Sequence, residues 1–170
     1  MDLVEQTLSS LAKIFPEPAA AAASPPEGEG GQEAQPRQRG VLAVDPVRHG
    51  YELDVLCGAD EVVEVAQVLD REGYFLESIA GIDWLDKGQF EVVYDYNRLG
   101  GEHCRVMVRA LVDRGQPVMP TITAVFPAAD WHERETFDFY GIHFQGHPNL
   151  IRILLPEDAD FYPLRKDYMP

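Results

Sequence analysis

Between positions 2 and 15 the apolar residues recur at helical spacing. Leu3, Val4, Thr7, Leu8, Leu11, Ile14 and Phe15 share one side, and Pro16 stops the helix. From Pro16 to Gly40 the pattern vanishes. Pro, Gly, Ala, Glu and Gln dominate there, and no apolar residue larger than Ala occurs. Such a segment cannot bury enough surface to offset the entropy of ordering it. The expectation is an amphipathic helix over 1–15, a flexible linker over 16–40 and a folded domain over 41–170. The helix then has two readings: packed on its own domain, or carried on the tether as a docking helix for another chain.

The domain opens with short β-type runs at Val41–Val44 and Tyr51–Leu56, separated by Pro46 and Gly50. A helical face follows in Val62, Val63, Val65, Ala66 and Leu69, and Gly73 is placed to end that helix. Tyr74–Ile79 and Phe90–Tyr96 read as extended. Arg105–Val112 alternates Val106, Val108 and Ala110 against Arg105, Met107 and Arg109, the period of a half-buried strand. Gly100–Gly101 predicts an antiparallel hairpin between the last two runs. Pro117 and Pro120 are expected to bracket a turn, and Thr121–Phe126 to form a further strand. This order predicts an α+β fold: one small domain with a largely antiparallel mixed sheet and flanking helices, plus the N-terminal helix on a disordered tether.

Composition adds mainly charge. The 170 residues carry a formal net charge of −15, while the hydrophobic fraction of 45% is ordinary. A field of that sign repels nucleic acid and anionic lipid, and is compatible with a partner that offers a basic surface. The two cysteines, Cys57 and Cys104, lie far apart without a Cys-x-x-Cys pair. That excludes a self-contained four-cysteine zinc or iron–sulfur site and reads as two small buried side chains, with a single disulfide between them the open alternative. No apolar run reaches the roughly 18 residues of a membrane span. Asp2 and Glu5 replace the basic start of a signal peptide.

The texture changes at Asp130, with D-W-H-E-R-E-T-F-D-F-Y-G. Asp130 is expected as N-cap with Glu133 completing a capping box, and Gly141 as terminator of a helix of about three turns. Arg134 and Asp138 share a face, which predicts that Arg134 pairs with Asp138 or another carboxylate. Gly146 and Pro148 break regular structure around His147. Arg165 and Lys166 then form a basic patch beside Asp167 in an acidic chain. As chemistry, His132, His143 and His147 are candidate metal ligands with Glu133 or Asp138. A stand-alone metal-dependent enzyme using His132, His147 and Glu135 is the catalytic version of that reading. Against it, no H-E-x-x-H occurs, and Gly146 and Pro148 spoil a helical His pair. Glu133 and Glu135 point in different directions on a helix and make a poor acid–base pair.

The string W-H-E-R-E-T-F-D-F-Y-G-I-H-F-Q-G-H-P-N-L-I-R-I-L, followed by P-L-R-K-D-Y, resembles the C-subunit family of bacterial NADH:quinone oxidoreductase, respiratory complex I. Glu133, Arg134, Glu135, Asp138, Gly141, Ile142, Phe144, Gly146, His147, Pro148, Leu150, Arg152, Ile153 and Leu154 fit the family motif E-R-E-x-x-D-x-x-G-I-x-F-x-G-H-P-x-L-x-R-I-L. A weaker likeness extends upstream through G-I-D-W at Gly81–Trp84, V-V-Y-D-Y at Val92–Tyr96 and the P-T-I-T run. The resemblance implies a non-catalytic scaffold subunit of the peripheral arm, on the cytoplasmic side of the membrane, binding no cofactor itself. The implied partners are the large hydrogenase-like, quinone-site subunit, the small iron–sulfur subunit and a ferredoxin-like iron–sulfur subunit. Structural or partner-binding roles then fall on Glu133, Arg134, Glu135, Asp138, Gly141, Gly146, His147, Pro148, Arg152, Pro163, Leu164, Arg165, Lys166 and Asp167, with Arg165 and Lys166 facing a carboxylate-rich partner. Residues 159–162 depart from the family's aromatic–glycine step before P-L-R-K-D. A homologous subunit occurs in membrane-bound energy-converting nickel–iron hydrogenases, so the resemblance leaves the electron donor and acceptor open.

Overall fold

The alternation over Arg105–Val112 becomes the middle of a five-stranded sheet in the computed structural model, which describes residues 2–15 and 38–169. In chain order the elements are α1 (Leu3–Ala12), β1 (Gly40–Ala43), the one-turn α2 (Pro46–His49), β2 (Leu53–Gly58), α3 (Val62–Arg71), β3 (Phe75–Trp84), β4 (Gln89–Arg98), β5 (Cys104–Asp113), β6 (Val118–Pro120), α4 (Ala129–Tyr140) and β7 (His143–Gln145). The sheet order is β1-β2-β5-β4-β3. Within this sheet only β2 and β5 pair in parallel, so it is mixed and largely antiparallel, as expected. The β4–β5 hairpin sets Tyr94 opposite Val108 and Val92 opposite Ala110.

Register gives the sheet two unlike faces. Phe90, Val92, Tyr94, Tyr96, Val106, Val108, Ala110, Leu53 and Val55 are buried beneath the helices. Tyr96 meets Phe126, and Phe90 meets Tyr140 edge-on. Gly81 makes room for the Tyr140 side chain of α4, since a Cβ there would sit 2.7 Å from its ring. The opposite face carries Asp54, Glu91, Asp95, Arg105 and Arg109. Its arginines lie between carboxylates: Arg109 is 3.5 Å from Asp54 and 3.3 Å from Glu91, and Arg105 bridges Asp95 and Glu77. Both cysteines are buried, as read from the sequence, and both are free thiols.

α3 buries Val62, Val65, Ala66 and Leu69 against the same core. It ends in a Schellman arrangement: Tyr74 N–H reaches the Leu69 carbonyl at 3.0 Å, Gly73 N–H reaches Asp70 at 2.9 Å, and Gly73 takes φ +82°. α1 resolves its two readings in favour of its own domain. Leu3, Thr7 and Leu11 are buried there. The Thr7 hydroxyl lies 2.9 Å from Tyr74 Oη, and Gln6 and Ser10 both donate to the Glu72 carboxylate. The helix is therefore not set apart from the body. The linker expected over 16–40 lies outside the described residues except at its end, where Arg39 pairs with Glu61 and Gly40 already opens β1.

Two local expectations fail. Thr121–Phe126 is not a strand: the Ile122 carbonyl accepts from Val125 and Phe126 N–H, both at 2.9 Å, which coils the segment into turns. Nor do Pro117 and Pro120 bracket a turn. Val118–Pro120 is a short strand pairing in parallel with β7, and His143 N–H donates to the Pro117 carbonyl at 2.7 Å. Periodicity could not reveal this pair, because its partner comes after a whole helix.

Candidate functional site

The motif residues gather around α4, one pocket at each end. The helix starts at Ala129, two residues earlier than the capping box requires. Ala128 precedes it with helical dihedrals and supplies no side-chain cap. Asp130 is thus in the first turn, and the Glu133 carboxyl turns away from its own helix end. It accepts from Ile122 N–H at 2.8 Å and from the Thr121 hydroxyl. The buried Ile122 N–H would otherwise lack an acceptor, and a carboxylate can serve both donors. Glu133 is fully buried. Burial lifts its pKa from 4.5 to about 7, the two hydrogen bonds pull it down, and the nearby Asp130 charge adds to the rise.

His147 lies beside this pocket, its side chain fully buried. Asn149 N–H donates to Nδ1 at 3.0 Å, so Nε2 carries the proton and donates to the Asp130 carbonyl at 3.2 Å. That Nε2 is 4.0 Å from both Glu133 and Asp130 carboxylates. Gly146 makes the turn before it with φ +87°. Arg134 is not free, but its partner is Asp130 rather than Asp138. Nη1 is 3.5 Å from Asp130, Nε donates to the Ile151 carbonyl at 3.2 Å, and the guanidinium lies 5.1 Å from the Trp131 ring centre.

At the other end, Asp138 is fully buried and richly bonded. Oδ2 accepts from the consecutive N–H groups of Ile153, Leu154 and Leu155 at 3.0, 2.7 and 3.0 Å. Oδ1 accepts from Arg152 Nη1 at 2.7 Å. Burial alone would raise this pKa, but three backbone donors and a guanidinium outweigh it, and the carboxyl is held below its ordinary value. Arg152 is therefore the partner of Asp138.

A helix leaves its last carbonyls without internal partners. Here Gly141 N–H takes the Phe137 carbonyl at 2.8 Å, Arg152 takes Asp138 at 2.9 Å, Leu164 N–H takes Phe139 at 3.3 Å, and Arg165 Nε takes Tyr140 at 2.7 Å. The C-terminal segment thus completes α4. The Tyr162 ring has Arg165 4.4 Å and Arg152 5.1 Å from its centre. Gly141 is required twice over: its φ is +74°, and a Cβ would lie 2.6 Å from Arg165 Nη2. Asp167 pairs with Arg114, whose Nε also bonds Asp83 at 3.0 Å, and Lys166 N–H reaches Asp83 at 2.8 Å.

Some motif residues stay outside these pockets. Glu135, His143 and Pro148 are exposed, and Pro163 is half-buried. His132 contributes its carbonyl to Thr136. Among the described residues, no three His, Cys, Asp or Glu side chains converge as a metal site. Trp131, Ile151, Leu154, Phe161 and Leu164 remain exposed around the charged network. The residues to which sequence reasoning assigns no role are Thr121, Ile122, Asp83, Trp84, Arg114 and Tyr162. The first four lie in the P-T-I-T and G-I-D-W strings, so their signal is a likeness without a mechanism.

Residues 55–170 match the family model of the respiratory-chain NADH dehydrogenase 30 kDa subunit. The chain is 41% identical over 121 residues to the C subunit of the NADH-quinone oxidoreductase of Roseiflexus castenholzii, covering 68% of this chain and 69% of that one. Among solved structures it resembles the trypsin-resistant fragment of Nqo5, with TM-score 0.53 and 31% identity over 61% of this chain and 92% of that one. It also resembles a chain of the membrane-bound sulfane sulfur reductase, an archaeal respiratory membrane complex, with TM-score 0.63 and 26% identity over 69% and 71% of the two chains. The chain belongs to the respiratory-chain NADH dehydrogenase 30 kDa subunit family.

Proposed function

We propose that this chain, as a member of that family, is a non-catalytic scaffold subunit in the peripheral arm of a complex I-type NADH:quinone oxidoreductase. One observation carries the reading: the buried charges of the motif are consumed in holding the chain's own fold. Glu133, Arg134, Asp138 and Arg152 each bond groups of this chain, and Asp138 is closed by three backbone donors. A catalytic acid or base must face a substrate instead. What the network presents outward is apolar: Trp131 is 64% exposed, Leu154 58% and Ile151 51%. A rigid apolar patch is what a protein interface requires. The occupants we propose are the large hydrogenase-like, quinone-site subunit and the small iron–sulfur subunit, with a ferredoxin-like subunit nearby. Iron–sulfur clusters belong to those neighbours. No helix among the described residues is long and apolar enough to cross a membrane. Attachment at the cytoplasmic side would then be peripheral, through the other subunits.

The test is to isolate the full-length tagged chain from its native membranes, as wild type and as I151D/L154D. The wild type should bring down the two cluster-linked neighbours, and the variant should lose them while remaining folded. Retention of both neighbours by the variant would refute this docking surface. A second reading is favoured by the likeness to the sulfane sulfur reductase complex. It makes this chain the equivalent subunit of a related membrane assembly, such as an energy-converting nickel–iron hydrogenase. NADH against reduced ferredoxin as electron donor to the isolated complex separates the two.

A further inference from the structure

The sequence assigns the basic patch at Arg165 and Lys166 to a carboxylate-rich partner, but the structure divides the pair. Arg165 is committed to the Tyr140 carbonyl and to the Tyr162 and Phe90 rings. Lys166 is not. Its backbone N–H is anchored to Asp83, while its ammonium lies 5.5 Å from the centre of the Trp84 ring. Another lysine meets it there. Lys87, from the turn between β3 and β4, places its ammonium 4.4 Å from the same ring centre. The indole is held in place by Nε1, which donates to Glu91 at 2.8 Å.

We propose that Lys87, Trp84 and Lys166 form a recognition site for a carboxylate-bearing segment of a partner protein; this rests on the chain's being a subunit of an assembly. Among the described residues, neither ammonium has a carboxylate partner; both rest on the π face alone. In a chain of net charge −15, two ammoniums beside one indole with no ion pair of their own are a local exception. A ring quadrupole positions a cation without cancelling its charge, so both remain able to bind an anion. Close to them in sequence, Leu85 is 42% exposed and Leu164 49% exposed. An anionic membrane offers the same attraction locally, but the whole-chain field opposes approach to a broad negative surface. A short acidic segment meets only the local charge.

The chain has two tryptophans, so W131F leaves Trp84 as the only indole reporter. The full-length W131F protein is titrated at low salt with poly-L-glutamate, and separately with phosphatidylglycerol and phosphatidylcholine vesicles. A saturable change in Trp84 emission with poly-L-glutamate is expected. In K87E/K166E it should require about tenfold or more peptide, because like charges now oppose. No saturable response, an unchanged curve in K87E/K166E, or a response to phosphatidylglycerol vesicles in place of the peptide overturns the proposal. In native membranes, K87E/K166E should recover less of the neighbouring subunits than wild type; equal recovery overturns the docking role while the subunit reading stands. If the wild type recovers no neighbour yet binds the peptide through the lysines, the site stands and the subunit reading fails.

Discussion

The two ends of α4 bury one carboxylate each, and the two titrate in opposite directions. Glu133 takes two donors, and burial lifts it to about 7. Asp138 is equally closed to solvent, yet three backbone N–H groups and Arg152 hold it below its ordinary value. Both are closed to solvent, but desolvation prevails at Glu133, whereas at Asp138 the more numerous and charged donors outweigh it. The end at Asp138 is a closed, charge-balanced joint between helix and tail. The end at Glu133 tolerates a proton.

Asp138→Ala breaks the comparison most severely. It leaves a guanidinium and three N–H groups without their acceptor and should cost about 3–5 kcal/mol in a denaturant titration. A loss below about 1 kcal/mol would show that water replaces the carboxylate without penalty. Next is the pH dependence. With its folded pKa raised from 4.5 to about 7, Glu133 makes the folded state bind the proton more tightly than the unfolded state. Its contribution therefore declines as pH rises from about 4.5 to 7, by on the order of 2–3 kcal/mol. Asp138 has the opposite sign: its contribution is present above the unfolded carboxyl pKa of about 4 and is lost as pH falls through its lower folded value. Glu133→Gln should flatten the slope between about pH 5 and 7; an unchanged slope would assign it to another group.

Gly141→Ala probes the joint between helix and tail. The left-handed φ of +74° and the approach of Arg165 Nη2 to 2.6 Å from a Cβ both oppose the methyl. A loss of about 2 kcal/mol is expected in thermal or chemical unfolding, and a neutral result would mean that the tail shifts freely. Thr121→Val, the smallest effect, removes one donor from Glu133 and should cost about 1 kcal/mol. It should also push the Glu133 titration higher, measurable by carboxyl NMR, and a downward shift would contradict the pairing.

The fold is legible where local pattern and burial agree. The alternation of β5 and the apolar face of α3 survive because each is read within one element. Thr121–Phe126 has the composition of a strand, yet its backbone and hydroxyl donors serve Glu133 and its own turns. The strand falls just before it, where three-residue β6 pairs across α4 with β7, a partner that no local window contains. The motif residues are legible as a set, but their pairings are not. Arg134 and Asp138 share a helix face, yet Arg152 approaches Asp138 with three N–H groups in train, and Arg134 turns back to Asp130. A face-sharing rule sees only the helix's own neighbours, worth a few tenths of a kcal/mol. Buried charges follow the strongest available donors instead.

By itself the sequence determined the family, the mixed α+β sheet, the cluster of charge around one short helix and the excess of negative charge. These depend on residue identity and local period, which the chain carries in order. Only the tertiary structure decided that α1 joins its own core, that the tail completes the last carbonyls of α4, and that Lys87 meets Lys166 on Trp84. Each joins residues distant in sequence, and each is fixed by buried groups finding partners that local pattern does not specify.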